Sequence, residues 1–145
     1  MNMDLQKSYA ELWNQSSEFF YSKGYYSWML EPLSDRNIIL EIGCGCGYST
    51  LSLLEAGHRV LAVDKNPECI DIAYNLTKEK GFENEVAYLE LDVSGPGVAE
   101  ELVQNCQFDA VACWNMGSYY DPEEFKNVYV PRMVQTGFSI EDDKR

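Results

Sequence analysis

The sequence predicts an α/β fold, a mostly parallel sheet with helices on both faces, preceded by a helical N-terminal segment. From Asn37 onward, short apolar runs alternate with helical patterns and short loops, as in proteins whose parallel strands are joined by helices. The run IILEI at residues 38–42 is almost continuously apolar, which is typical of a strand buried on both faces. A chain of 145 residues has the length of one domain with a sizeable core. We therefore expect a single domain.

The first part of the chain has a helical pattern. Apolar residues recur at intervals of three and four between Asp4 and about Lys23, which is the spacing of one helix face. Tyr25, Tyr26 and Trp28 then form an aromatic cluster ahead of the first strand. Two interpretations of this cluster stay open: a lid over a ligand site, or plain packing of the helical segment on the sheet.

Strand and helix signals alternate through the rest of the chain. Gly57 suits the left-handed position after a helix, and Asn66 with Pro67 marks the start of the next one. Four strands are predicted at IILEI, RVLAVD, VAYLEL and FDAVAC. The helices are predicted at about 49–56, 67–80 and 98–104, with a last one that runs to about Tyr129, before Pro131.

Composition and charge narrow the function classes. The formal net charge of −13 would repel a polyanion and the eleven basic residues are scattered, so we expect no nucleic-acid partner. The N-terminus lacks a signal-peptide pattern, and no apolar run approaches the ~18 residues that a membrane-spanning helix needs. These features predict a cytoplasmic protein without membrane contact, whose five cysteines are reduced thiols.

The segment ILEIGCGCGYST, residues 39–50, places three glycines at alternate positions behind the first strand. We expect no metal site, because Cys44 and Cys46 form C-x-C without a second ligand pair. A dinucleotide loop needs G-x-G-x-x-G, but the third glycine position falls on Tyr48 or Thr50. A loop for a nucleoside ligand with a carboxylate fits better. Glycines let such a ligand lie against the backbone, and the helix that follows offers free N–H groups.

Asp64 stands at the end of the second predicted strand, 21 residues after Gly43. An acid at about this spacing holds a ribose diol in doubly wound folds. The alternative is an ordinary surface acid beside a helix. The combination with a glycine loop and a strand end favours the ribose role.

The segments ILEIGCGCG, VLAVDKNPECIDIA, LELDV and FDAVACWNMG, in this order, resemble the successive motifs of class I S-adenosylmethionine-dependent methyltransferases. The resemblance covers about residues 37–125. It implies a Rossmann-like domain at 1–145, with a helical lid or packing segment at 1–36, a core at 37–130 and a tail at 131–145. It also implies a methyltransferase that uses S-adenosylmethionine and releases S-adenosylhomocysteine.

The resemblance also implies which residues contact the cofactor. Glu41 would hold the methionine amino group, directly or through water. Asp64 would hold the ribose hydroxyls and Asp92 the adenine amino group, although Asp92 also suits a loop-capping acid. Trp114 and Asn115 would lie where the methyl group meets its acceptor, although Trp114 also suits core packing. The other implied contacts are Gly43, Cys44, Gly45 and Gly47 beside the methionine and ribose, Lys65 on the adenine side, and the amide of Val93.

The methyl acceptor is expected to be a small molecule or a protein. The fourth strand is followed by WNMGSYY. Amino-group methyltransferases that act on DNA bases usually have Asp or Asn followed by Pro-Pro and an aromatic residue at this place, so the resemblance does not extend to them. No residue stands out as a general base, so the catalytic residues stay unassigned. Methyl transfer from a sulfonium can proceed largely by alignment of donor and nucleophile.

The chain departs from the family in its strand count. Four strands are predicted, whereas the family sheet has the order 3-2-1-4-5-7-6, so its C-terminal strands are expected to be missing. The fourth strand would then be an open apolar edge, which natural proteins avoid. Two explanations stay open: the gene product is longer and this chain is its first part, or a homodimer or a partner chain covers the edge. The alternative function is an incomplete or non-catalytic S-adenosylmethionine-binding module that needs such a partner.

Overall fold

Within residues 3–113, four parallel strands form a sheet in the order β3-β2-β1-β4. The structure is a computed structural model and describes residues 3–113. The strands are β1 (Ile38–Ile42), β2 (Arg59–Asp64), β3 (Val86–Glu90) and β4 (Ala110–Cys113). The predicted fold class, a Rossmann-like and mostly parallel α/β sheet, is therefore confirmed.

Helices precede the sheet and connect its strands. The four long helices predicted within residues 3–113 have bounds within one residue of those predicted, whereas the short helices at 25–29 and 31–33 were not predicted. The helices are α1 (Met3–Ser22), α2 (Tyr25–Met29), a short 3-10 helix (Glu31–Leu33), α3 (Tyr48–Glu55), α4 (Pro67–Glu79) and α5 (Val98–Asn105).

Capping groups set the helix ends on both sides of β2. At the end of α3, Gly57 has a φ of 94°, and the amide of His58 donates to the carbonyl of Leu53 at 3.1 Å. This is the left-handed termination that glycine favours. At the start of α4, the side chain of Asn66 accepts a hydrogen bond from the amide of Glu68 at 3.0 Å. Both ends were predicted from the sequence.

The main core lies between one face of the sheet and the helices. Strand register puts Ile39 beside Val60 on one side and Ala110 on the other. Because strand side chains alternate between faces, these residues share one face. The buried members of the core are Leu30, Ile39, Cys44, Leu53, Leu54, Val60, Ala62 and Ala112.

Helix α1 packs on α3 and α4, and its buried residues are Ala10 and Ser17. The residues of the aromatic cluster that follows α1 differ in burial. Tyr26 is buried and meets Phe20 edge to face, whereas the side chain of Trp28 is 70% exposed. Of the cluster, Tyr26 therefore packs in the core.

Within residues 3–113, β4 is the last strand on one side of the sheet and pairs with β1. Trp114 and Asn115, the predicted last helix and the predicted tail at 131–145 lie outside the described residues. In the described part of the chain, none of the helices has the length and apolarity to span a membrane.

Candidate functional site

The carboxyl ends of the four strands meet at one edge of the sheet, because all strands are parallel. The loop after β1 (residues 43–47), Asp64 after β2, and Asp92 after β3 therefore lie along the same edge. Ligands of open α/β sheets bind outside the carboxyl ends of the strands, where the strand order reverses. In this sheet that place is beside β1, where the chain continues to β2 on one side and returns as β4 on the other.

The glycine loop turns tightly over the end of β2. Gly43, Gly45 and Gly47 have φ values of 76°, 55° and 94°, which residues with a side chain rarely adopt. The amides of Gly43 and Cys44 both donate to the carbonyl of Val63, at 2.8 and 3.1 Å. These bonds hold the loop against β2.

Two of the three glycines make room for neighbouring helices. A Cβ added to Gly45 would lie 2.4 Å from Nε1 of Trp13 on α1. A Cβ added to Gly47 would lie 2.7 Å from both Cα and Cβ of Ala73 on α4. Both glycines are buried, whereas Gly43 is partly exposed. The loop is therefore a packing junction for α1 and α4 as well as a candidate ligand wall.

The predicted ligand acid Glu41 lies inside the core. Its side chain is 0% exposed, and its carboxylate accepts a hydrogen bond from the hydroxyl of Thr50 on α3. The nearby phenol of Tyr26 is buried, and burial together with the charge of Glu41 raises the pKa of Tyr26 to about 12. Glu41 thus fastens β1 to the helix that follows the glycine loop.

Asp64 joins the glycine loop to the start of α4. Its Oδ2 accepts from the amide of Gly45 at 2.9 Å, and its Oδ1 accepts from the amide of Asn66 at 2.9 Å. The side chain is partly exposed. A carboxylate has about four acceptor positions, so two bonds orient it and leave further capacity for a ligand's hydroxyl groups.

Lys65 and Asp92 lie on the β3 side of the same edge, and both are exposed. Oδ1 of Asp92 accepts from the hydroxyl of Ser94 at 2.6 Å and from its amide at 2.9 Å. These bonds and the nearby charge of Lys65 hold the pKa of Asp92 below its usual value. Asp92 therefore caps its own turn, beside a partly exposed Val93.

The cysteines of the loop are buried thiols. Burial raises the pKa of Cys44 well above its usual value. Cys46 donates to the carbonyl of Ala10 at 3.3 Å, and its Sγ lies 3.9 Å from Sγ of Cys69 on α4. The hydrogen-bonding contact with Cys46, together with burial, raises the pKa of Cys69. These thiols pack the loop under α1.

His58, the single histidine of the chain, lies in the turn before β2. The structure buries it, and its Nδ1 lies 2.8 Å from the carbonyl of Arg36. The side chain therefore holds the turn before β2. This turn leads into the amino end of β2, so His58 has a structural role away from the carboxyl ends of the strands.

Sequence reasoning missed three residues beside the loop: Trp13, Asn14 and Asn66. The side-chain amide of Asn66 donates to the carbonyl of Gln6 at 3.2 Å, so it ties α1 to the start of α4. Asn66 was predicted as a cap alone. The spacing of Trp13 marked an apolar helix face, but no local pattern could show that this face meets a glycine loop.

Comparison with known proteins defines the class. The family described as "Methyltransferase domain" matches residues 39–131 of this chain. This range contains the glycine loop, Asp64 and Asp92. The chain belongs to the methyltransferase domain family.

Individual relatives carry the same class name. Over 93 residues the chain is 33% identical to the ubiquinone biosynthesis O-methyltransferase of Xanthomonas axonopodis pv. citri (strain 306), covering 63% of this chain and 35% of that protein. Over 99 residues it is 29% identical to glycine N-methyltransferase of Mus musculus, covering 61% of this chain and 31% of that protein. The chain thus spans about a third of the length of the curated relatives it matches.

The fold also matches a solved structure. The SAH-bound methyltransferase PaMTH1 of Podospora anserina aligns with a TM-score of 0.50 and 23% identity. The alignment covers 79% of this chain and 47% of that protein. At this identity the likeness concerns the fold, which agrees with the strand order described above.

Proposed function

We propose that the chain binds S-adenosylmethionine at the carboxyl edge of its sheet and takes part in methyl transfer to a small-molecule or protein acceptor. The observation that carries the proposal is Asp64. Its carboxylate is oriented by the amides of Gly45 and Asn66 and stays partly exposed at the switch point of the sheet. Two adjacent ribose hydroxyls are the groups that such an oriented carboxylate binds in doubly wound folds.

The rest of the edge fits the other parts of this cofactor. Gly43 is partly exposed at the start of the loop, where a ligand can approach the backbone. Glu41 and Cys44 are buried behind it, so we propose that they shape the methionine side from below, Glu41 through Thr50. When bound, the sulfonium supplies a methyl group that a nucleophile can take.

The adenine side would be formed by Lys65, Asp92 and Val93. Asp92 retains Oδ2 for the adenine amino group, because its bonds to Ser94 use Oδ1. Gly45 and Gly47 would act indirectly, by letting α1 and α4 close on the loop. Trp114 and Asn115 lie outside the described residues and stay predictions as contacts near the methyl group.

The acceptor class rests on the relatives and on charge. The names of the relatives cited above point to glycine as an acceptor and to an O-methyl product in ubiquinone biosynthesis. The net charge of −13 disfavours nucleic acid as an acceptor. We propose alignment of donor and nucleophile as the main contribution to rate, since neither the sequence nor residues 3–113 point to a general base.

The organisation of the whole chain is part of the same proposal. We propose one domain over residues 1–145, with the helical segment at 1–36, the core at 37–130 and the tail at 131–145, acting in the cytoplasm. Val111 on β4 is 50% exposed. Within residues 3–113 β4 is the last strand of the sheet, and natural proteins avoid leaving such an apolar strand as an open edge, so we propose a second copy or a partner chain along it.

Calorimetric titration of the purified chain with S-adenosylmethionine, S-adenosylhomocysteine and NAD tests the proposal. We expect the first two to bind and NAD to fail, because Tyr48 and Thr50 replace the third glycine of a dinucleotide loop. Binding of NAD alone would contradict the proposal. Release of S-adenosylhomocysteine in the presence of amine and phenol acceptors then separates a methyltransferase from a module that only binds.

A further inference from the structure

Two neighbouring side chains of α1 carry hydrogen-bonding groups that lack partners within residues 3–113. The indole of Trp13 rests on the glycine loop, with Nε1 2.4 Å from the position of a Cβ on Gly45, and its N–H makes no hydrogen bond in the described part of the chain. Oδ1 of Asn14 is buried and has no hydrogen-bond partner there either. A buried acceptor left unpaired costs about 1–3 kcal/mol, so its retention calls for a reason.

Both side chains belong to the part of α1 that covers the loop. Ala10 and Ser17, four residues before and three after Asn14, are both buried, which puts Asn14 on the inward side of the helix. The carbonyl of Ala10 accepts the thiol of Cys46 at 3.3 Å, so this stretch of α1 lies directly over the loop. Trp13 and Asn14 are themselves only half-buried.

We infer that Trp13 and Asn14 bind the amino-acid end of the cofactor, an inference that rests on the proposed function. The indole N–H is a donor and suits the carboxylate, while the amide oxygen is an acceptor and suits the ammonium group. A zwitterionic α-amino acid presents both groups on one carbon. One donor and one acceptor on consecutive residues therefore match it, whereas the adenosine part of the cofactor would lie toward Asp64 and Asp92.

The assignment gives Gly45 a defined part in binding. Without a side chain at position 45 the indole can approach the loop. We expect the indole to form there the wall that faces the ligand. α1 is therefore a component of the site that discriminates ligands with an amino-acid end from those without it.

The test compares two ligands on matched variants. S-Adenosylhomocysteine carries the amino-acid end, and 5′-methylthioadenosine lacks it. Trp13→Phe removes the indole donor but keeps an aromatic ring, and Asn14→Leu removes the orphan acceptor at similar volume. Phe19→Leu and Gln15→Leu, also on α1, are the controls, because both side chains are exposed.

We expect each test variant to weaken S-adenosylhomocysteine binding on the order of tenfold, as for loss of a hydrogen bond to a charged group. Binding of 5′-methylthioadenosine should be unchanged, and both controls should bind both ligands as the wild type does. Asn14→Leu should also raise the melting temperature of the free chain, because a buried polar atom without a partner is removed. A purely structural role for Asn14 would instead lower the melting temperature and affect both ligands.

The outcomes separate this inference from the proposed function. Equal loss of both ligands in the test variants, or no loss of either, overturns the roles of Trp13 and Asn14 while cofactor binding by the wild type stands. A wild-type chain that binds neither ligand overturns the proposed function and this inference together. Selective loss of S-adenosylhomocysteine in variants that melt cooperatively supports both.

Discussion

Two regions of the strand-end edge differ in how firmly they are built. The loops after β1 and β2 are cross-connected: Asp64 accepts amides from two different loops, and Gly45 and Gly47 sit under side chains of α1 and α4. The loop after β3 is bonded within itself: the exposed carboxylate of Asp92 accepts from the amide and the hydroxyl of Ser94, and its carbonyl accepts from the amide of Gly95. The two proposed ligand acids thus have unlike surroundings.

The difference predicts that the proposed ribose side of the site is organised before a ligand binds, whereas the proposed adenine side should gain its contacts with the ligand. Groups already held by the fold lose little freedom on binding, so they contribute more affinity than groups that must be ordered. Substitutions in the first region should therefore affect folding as well as binding. Those in the second should affect binding with little effect on folding.

Gly47→Ala should be the most damaging change to the cross-connected region. Its Cβ would lie 2.7 Å from Ala73, and a φ of 94° strains any residue with a side chain. Overpacking and left-handed strain together cost about 2–4 kcal/mol of unfolding free energy. Gly57→Ala is the matched control: it has the same φ of 94° but nothing within 4 Å, so it should cost only about 1–2 kcal/mol. Equal denaturation midpoints for the two variants would show that α4 does not pack on the loop.

Asp64→Ala should reduce both binding and stability. Loss of a charged acceptor weakens hydrogen bonds worth roughly 1.5–3 kcal/mol, or about 10–100-fold in S-adenosylhomocysteine affinity. The amides of Gly45 and Asn66 also lose their shared acceptor, so the melting temperature should fall. Calorimetry and thermal melts measure the two effects, with Asp71→Ala on the exposed surface of α4 as control. Unchanged affinity would remove the ribose assignment.

Asp92→Ala tests the loop after β3, the region that is bonded within itself. We expect a loss of about 1 kcal/mol in S-adenosylhomocysteine affinity, because one exposed hydrogen bond to the adenine amino group is removed. Unfolding should change by no more than about 0.5 kcal/mol, since the bonds to Ser94 are local and exposed. A large loss of stability with intact binding would reverse the distinction between the two regions.

The stability that Asp109 contributes, at the opposite end of the sheet from the candidate site, should depend on acid pH. Asp109 accepts amides of Asn37 at 3.0 Å and Ile38 at 2.8 Å, which lowers its pKa below the usual 3.8. A lowered folded-state pKa stabilises the chain above the unfolded value, and this stabilisation is lost as pH falls through the lowered one. Wild type should therefore melt above Asp109→Asn at pH 7, and the gap should shrink by pH 3. A constant gap would contradict this role.

Much of the fold follows from local pattern. The caps at Asn66 and Gly57 and the strand IILEI depend on near neighbours, so they could be predicted from sequence. The contacts of Trp13 with Gly45, and of Gly47 with Ala73, join residues far apart in the chain, and periodicity carries no record of them. The same limit applies to the hydrogen bond of His58, because its partner Arg36 is 22 residues away.

The candidate site divides in the same way. The glycine spacing and the acid at position 64 predicted which residues line the strand ends. Neither could show that Glu41 is fully buried against Thr50, or that two of the glycines serve helix packing. Side-chain direction depends on which face of the sheet the helices cover, and that is decided by tertiary packing.

A crystal structure of the chain with S-adenosylhomocysteine would test the central claim most directly. We predict both ribose hydroxyls within about 3.2 Å of the Asp64 carboxylate, with the amides of Gly45 and Asn66 still bound to it. Ribose bound elsewhere, with the bonds of Asp64 unchanged, would contradict the account of the site.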